Sequence, residues 1–187
     1  MAQINPERLL RDLKTLREFG QHGTGVIRQA LSPVDMESRR WLVQRMIDAG
    51  LDADIDGLGT IIGRSPNPGR ALLIGSHTDT QPTGGWLDGA MGVIYGLEIA
   101  RSFAETEDTH SLAVDVASWI DEEGAFMGLM GSKAFCGMLD ETTMMGATNA
   151  SNQTLQSALR DAGLLGRELQ SLDKTRFLGY LEAHIEQ

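Results

Sequence analysis

Four short stretches of this 187-residue sequence gather side chains able to hold a cation or move a proton. In Ile74-Gly75-Ser76-His77-Thr78-Asp79-Thr80 a histidine follows an apolar run and an aspartate stands two residues on, so both fall near one side if the strand continues. A carboxylate beside the ring can accept its spare N–H, fix the tautomer and make the imidazole a better ligand; a solvated His-Asp pair in a loop has the same spelling. In Gly84-Gly85-Trp86-Leu87-Asp88-Gly89-Ala90-Met91-Gly92, Asp88 stands between glycines before a helical stretch. It is either an N-cap or a carboxylate whose two oxygens each take one cation. Asp121-Glu122-Glu123-Gly124 sets three carboxylates side by side, which repel one another unless a cation or a proton intervenes. Glu122 and Glu123 face different ways, so one can ligate metal while its neighbour serves as a base; a solvated acidic turn is the alternative. Last, in Glu182-Ala183-His184-Ile185-Glu186-Gln187 a strand would put Glu182, His184 and Glu186 on one face and Leu181, Ala183 and Ile185 toward the core. The alternative there is an edge strand with a polar face.

Each stretch alone is more often structural than functional. Together, His77, Asp88 and His184 with Glu123 form a nitrogen-and-oxygen donor set that suits zinc or manganese. His22 and His110 have no such setting; His110 stands in the polar stretch TEDTHS.

These residues need elements to carry them. Residues 6–19 place Leu9, Leu10, Leu13, Leu16 and Phe19 at helical spacing, with Pro6 suited to a first turn. Ser32-Pro33 opens a second helix over residues 34–49, with Trp41, Leu42, Met46 and Ile47 inward and Gly50 as its stop. Residues 51–55 and 60–63 read as short strands, 71–75 and 111–120 as buried strands, and 177–185 as another strand. Asn67-Pro68-Gly69 is a loop, residues 92–103 form a helix, and 153–163 and 167–171 form short helices. Interleaved helices and strands argue an α/β layer architecture, in which ligands bind beyond the carboxyl ends of strands. Three of the four stretches follow apolar strands in this way.

Composition narrows the classes further. At 41% hydrophobic and 22% charged residues the chain has the makings of one packed domain. The 22 glycines cluster between Gly84 and Gly96 and between Gly124 and Gly137, which marks two shaped loops. A formal charge of −10 argues against nucleic acid or an anionic membrane as partner. Cys136 is the only cysteine, so no disulfide framework exists, and a reducing cytoplasm is the expected location. Residues 1–16 lack the apolar core of a signal peptide, and no run approaches a membrane span. The stop at Gln187, straight after a strand-like segment rich in ionisable groups, leads us to expect a fragment.

Three segments, GSHTDTQPTGGWLDGAMGV, WIDEEGAFMGLMGSKAFCG and YLEAHIEQ, resemble in order and spacing the metal-site motifs of the N-carbamoyl-L-amino-acid hydrolase, ureidopropionase and allantoate amidohydrolase family. That family lies within the dinuclear-zinc aminoacylase and carboxypeptidase superfamily. The segment from Gly23 to Arg64 also resembles the family's N-terminal region, so the resemblance covers nearly the whole chain. It implies a mixed central sheet flanked by helices, as in the catalytic domain of zinc exopeptidases, with residues 1–187 its N-terminal part and the lid and dimerisation domain absent. It implies two divalent cations, Zn2+ or Mn2+. His77 and His184 resemble ligands of the first, Asp88 the carboxylate bridging both, Glu123 a ligand of the second and Glu122 the general base. Asp79 resembles the partner of His77, and Gln187 a residue lining the substrate pocket. The family's last histidine ligand of the second cation, and the arginine and asparagine that hold the substrate carboxylate, have no counterpart within these residues. The second cation site is therefore expected to be incomplete.

The resemblance implies metal-assisted hydrolysis of non-peptide C–N bonds in linear amides or amidines, of the N-carbamoyl amino acid or allantoate type. The partner is a small-molecule substrate, and the full-length family implies a homodimer. His184 within HIEQ favours the carbamoylase branch, because peptidase relatives carry a carboxylate there. An aminoacylase or dipeptidase is the alternative enzyme, and a non-catalytic remnant holding one cation or none is the alternative outside enzymes.

Overall fold

The computed structural model describes residues 2–109 and 112–185. Gln187, Glu186 and His110 lie outside the described residues.

Helix α1 (Pro6–Glu18) starts where Asn5 accepts a hydrogen bond from the Arg8 N–H at 3.0 Å, with Pro6 in its first turn. Leu13 and Leu16 are buried, whereas Leu10 is half exposed, contrary to its expected place on the apolar face. Leu9, Leu13 and Leu16 already make the i, i+4, i+7 stripe, and Leu10 lies about 100° around the helix from Leu9. A two-stranded hairpin, β1 (Gln21–His22) with β2 (Gly25–Val26), follows and leaves His22 exposed. Helix α2 (Pro33–Asp48) is capped by Ser32, whose hydroxyl accepts from the Asp35 N–H at 3.2 Å. Leu42 and Met46 face inward and Trp41 packs half-buried, but Ile47 points to solvent, a correction to the sequence reading. Gly50, at φ +82°, ends the segment.

The sheet runs β3 (Asp52–Ile55), β4 (Ile61–Arg64), β6 (Ala113–Trp119), β5 (Ala71–His77), β7 (Phe177–Leu181) in space. β3, β4 and β6 pair antiparallel; β6, β5 and β7 are parallel. Helix α3 (Ala90–Ala104) crosses from β5 to β6, and that crossover decides where the chemistry goes. Parallel pairing sets His77 beside Trp119 and Ile74 beside Leu181, so the segments after all three strands leave the sheet at one end. Two apolar layers hold the sheet. Leu42, Met46, Ile61, Ile94, Leu97 and Val116 form part of one; Ile62, Leu73, Trp119, Phe135 and Phe177 fill the other. Each such side chain contributes roughly 1.5–3 kcal/mol by leaving water.

The remaining elements are short: α4 (Met130–Phe135), α5 (Glu141–Met145) and α6 (Leu155–Asp161). The first two have no counterpart in the sequence reading. Residues 167–171 do not form the expected helix. Their backbone is instead bound to a loop, with Gln170 N–H donating to Asp56 Oδ2 at 3.1 Å and Gly57 N–H donating to Glu168 O at 2.9 Å. Those tertiary bonds outweigh a weak local helix preference. β7 stops at Leu181 rather than reaching residue 185. Leu181 and Ile185 are exposed rather than facing the core: β7 is an edge strand of which only Phe177 is buried, and Ile185 lies beyond its end. Among the described residues, no helix is long and apolar enough to cross a membrane.

Candidate metal centre

His77 is the last residue of β5, and its side chain is 1% exposed. Its Nδ1 lies 2.9 Å from the backbone oxygen of Asp79. A carbonyl only accepts, so Nδ1 carries the proton and Nε2 turns a lone pair into the site. The fixing of the tautomer expected from the Asp79 carboxylate is done by the Asp79 main chain, the nearest carboxylate oxygen being 3.8 Å away.

His184, beyond the end of β7, meets this lone pair. The two Nε2 atoms stand 3.3 Å apart, with the rings at 87° and their centroids 5.4 Å apart. Asp88 completes the triangle, its Oδ1 lying 3.0 Å from His184 Nε2 and 3.7 Å from His77 Nε2. Asp88 does not cap α3: the cap position is Gly89, and no side chain bonds the helix start. Gly89 has φ +61°, and a Cβ there would lie 2.4 Å from His77 Nε2. Only glycine lets the chain turn and pass this close to the ring.

The triangle fits a cation. Donors held at about 2.0–2.2 Å around a tetrahedral zinc stand about 3.3–3.6 Å from one another, and the three separations here bracket that value. Without a positive charge, the His77 lone pair would face the Asp88 carboxylate and Glu122 Oε2, the latter at 3.5 Å. The arrangement is one that a dication relieves.

Glu122 and Glu123 do diverge. Glu122 faces His77 Nε2, whereas Glu123 Oε2 accepts from the Gln81 amide at 2.5 Å. Among the described residues the candidate donor groups are His77, Asp88 and His184, and His77, Glu122 and Glu123; Asp88 and Glu123 do not group together. Asp121 is not part of a solvated acidic turn. It sits fully buried at φ +53°, and its carboxylate accepts the N–H groups of Ala125 (2.6 Å), Phe126 (2.9 Å) and Met127 (2.7 Å), shaping the loop from inside. Burial raises its pKa. Glu182 turns away from the triangle to accept from Ser76 Oγ and from the Tyr180 hydroxyl at 2.8 Å, and Tyr180 in turn accepts from Trp119 Nε1 at 2.8 Å.

Behind the site lies a buried charged layer that the sequence reading missed. Arg28 donates from Nε to Thr78 O at 2.7 Å and from Nη1 to Leu16 O and Phe19 O; burial pushes its pKa down to about 10. Arg39 and Asp35 pair one turn apart on α2 with no exposure. The signal available in the sequence was Asp35 and Arg39 at i and i+4 on the same side as Leu42. Asp79 joins this layer; its Oδ2 accepts from Glu123 N–H at 3.1 Å.

Burial pushes the Asp79 carboxyl up to about 6, from 3.8, against the pull of His77 and Arg39. A group whose folded pKa lies above its unfolded value contributes stability below the unfolded pKa, and that contribution is lost as pH rises through the folded one. In metal-free protein the melting temperature should therefore fall between about pH 4 and 6 through this group. Asp79→Asn should flatten that fall and melt higher than the parent at pH 7. A scan in which the variant melts lower at pH 7 would contradict the assignment.

A mainly apolar cavity of about 470 Å³, with Trp119, Leu129, Phe135 and Phe177 in its wall, opens beside Glu122 and His184. A slightly larger one, about 540 Å³, lies at Leu31, Arg40, Phe126 and Asn149 and touches none of the candidate residues.

Comparison with known proteins gives three results. The family model described as Peptidase family M28 matches residues 58–155, a span that contains His77, Asp88, Glu122 and Glu123 and ends before His184. The chain is 30% identical to an N-carbamoyl-L-amino-acid amidohydrolase of Paenarthrobacter aurescens, over all of this chain and 47% of that one. It is 34% identical to a probable allantoate deiminase of Oryza sativa subsp. japonica, over 96% of this chain and 40% of that one. Among solved structures, an amidase of the hydantoinase/carbamoylase family from Burkholderia phymatum superposes with a TM-score of 0.98 at 59% identity, over all of this chain and 46% of that one. The chain thus spans less than half the length of these relatives.

Proposed function

This chain belongs to peptidase family M28, and on that premise we propose that its site serves metal-dependent hydrolysis of a non-peptide C–N bond, in substrates such as N-carbamoyl amino acids or allantoate. The observation that carries this reading is the convergence of His77 Nε2, His184 Nε2 and Asp88 Oδ1 within 3.0–3.7 Å of one another. The similarity to an N-carbamoyl-L-amino-acid amidohydrolase and to a probable allantoate deiminase supports the bond type.

His77, Asp88 and His184 would hold a first zinc or manganese ion; a second, shared by Asp88 and Glu123, would need Glu123 to leave Gln81, because these two carboxylates do not group together here. When bound, such ions lower the pKa of a water and polarise the substrate carbonyl or amidine carbon. Glu122, beside His77 Nε2, takes the proton of the attacking water. As the C–N bond breaks, Glu122 returns that proton to the departing nitrogen. A carbamoyl group would leave as carbon dioxide and ammonia, freeing an amino acid. We read residues 1–187 as the N-terminal part of such a catalytic domain, working in the cytoplasm, and propose a homodimer for a full-length form.

A second reading, one tight cation and no turnover, is favoured by the bond from Gln81 to Glu123. Calorimetric titration with zinc, and separately with manganese, tests both. We expect one tight site per chain that His77→Ala and His184→Ala each abolish, and a second that is weak or empty. No binding by the parent would end the metal reading. Two equally tight sites, with turnover of N-carbamoyl amino acids or allantoate at about 1–10³ per second, would end the second reading.

A further inference from the structure

Arg39 occupies a place that no part of the proposed chemistry uses, yet it touches both strand ends that bear the site. Its guanidinium is fully buried, where an unpaired charge is costly, and four of its five N–H groups have a hydrogen-bond acceptor. Nε donates to Asp35 Oδ1 and Oδ2 at 3.1 and 3.0 Å. Nη1 donates to Gly59 O at 3.0 Å and Ser118 O at 3.4 Å. Nη2 donates to Trp119 O at 3.2 Å and faces Asp79 Oδ1 at 3.7 Å. That Asp79 oxygen is buried with no hydrogen-bond partner.

The targets have a common logic. Ser118 and Trp119 end β6, four residues or fewer before Glu122. Asp79 is the residue whose main chain fixes the His77 tautomer and whose other carboxylate oxygen takes the Glu123 N–H. Asp35 is held in turn by the Leu31 N–H at 2.9 Å and by its place on α2, so the guanidinium rests on a rigid support.

We propose that Arg39, braced by Asp35, is a positioning residue that sets the spacing between the β5 end carrying His77 and the β6 end carrying Glu122 and Glu123, and so tunes cation affinity. The inference rests on the reading of this site as a metal centre. The planar fork is what lets one side chain serve two strand ends; a lysine keeps the charge but cannot span them.

The test is a double-mutant cycle read by zinc calorimetry, with circular dichroism and melting temperature as controls. Arg39→Lys should fold and bind zinc about 10–100-fold more weakly, the range seen when partners of metal ligands are altered. Asp79→Asn should also weaken binding. The double variant should lose less than the product of the two single losses, because both act through one contact. A purely structural role for Arg39 would lower the melting temperature and leave affinity unchanged, or give losses that multiply; either result overturns the proposal. If Arg39→Lys does not fold, Asp35→Asn, which frees the guanidinium from its support, should show the affinity loss instead. An unchanged affinity in that variant, or failure of both to fold, makes the pair a requirement of the fold and also overturns it. The parent is titrated alongside: no zinc bound by the parent sinks the metal reading, and the proposal falls with it. Equal binding by parent and variants sinks the positioning role alone.

Discussion

In a full-length form, glutamine in place of Glu122 is expected to lower turnover by about 10²–10⁴-fold while bound cation per chain stays unchanged. Gln keeps the shape of the side chain but cannot accept the proton of water, and general-base catalysis is worth that range. Glu122 faces His77 Nε2 at 3.5 Å and is 25% exposed, so it stands at the open side of the donor triangle without being one of its three members. Glu123→Gln should behave differently. It removes a charged oxygen from the second, weaker cation position and should lower occupancy there first. Initial rates on N-carbamoyl amino acids and allantoate, with zinc content measured on the same samples, separate the two. Equal loss of metal in both variants would show that the division of labour within the Glu122-Glu123 pair is wrong, even in protein too slow to assay.

The second large effect is expected from one methyl group. Gly89→Ala would put a Cβ 2.4 Å from His77 Nε2 and Cδ2 and 2.6 Å from Cε1, at φ +61°. The backbone strain alone is worth roughly 1–3 kcal/mol. The overlap must in addition drive the ring out of line with His184 and Asp88. Zinc affinity should fall by at least about 10–100-fold. Gly137→Ala is the control, because it shares a positive φ, +69°, but its Cβ would meet nothing within 4 Å. It should lose stability and keep zinc. If both variants lost zinc equally, general strain and not the approach to His77 would be the cause.

Much of this was legible in the sequence because it depends on local rules. Pro6, Ser32 and Gly50 bounded their helices as capping chemistry requires. The apolar runs around Leu73 and Val116 became neighbouring buried strands, and that pairing brings His77 and the Glu122-Glu123 segment to one edge. What was not legible depends on partners distant in sequence. Asp35 and Arg39 stand at i and i+4, a spacing that does not by itself tell a surface pair from a buried one; the carbonyls of Ser118 and Trp119 that Arg39 meets come from β6. Asp79 was expected to hold the His77 ring with its carboxylate, but its carbonyl oxygen stands at 2.9 Å from Nδ1 and its carboxylate at 3.8 Å. The stretch around Leu169 gives the Gln170 N–H to Asp56, more than a hundred residues earlier. Leu181 and Ile185 alternate like core residues, yet one lies on an edge strand and the other beyond its end, which alternation alone does not reveal.

His77 and His184 are 107 residues apart in the chain, although their rings touch. A cation gripping both would act as a reversible cross-link. Bringing together the ends of a flexible loop that long takes about 4 kcal/mol of chain entropy, and the ion would hold that loop shut with β7 fastened to β5. Chelation would then do more than silence chemistry. It would loosen β7, whose residues 178–181 are already exposed, as a handle for proteases. Scarcity of zinc would in this way shorten the life of the chain through the same residues that bind the ion.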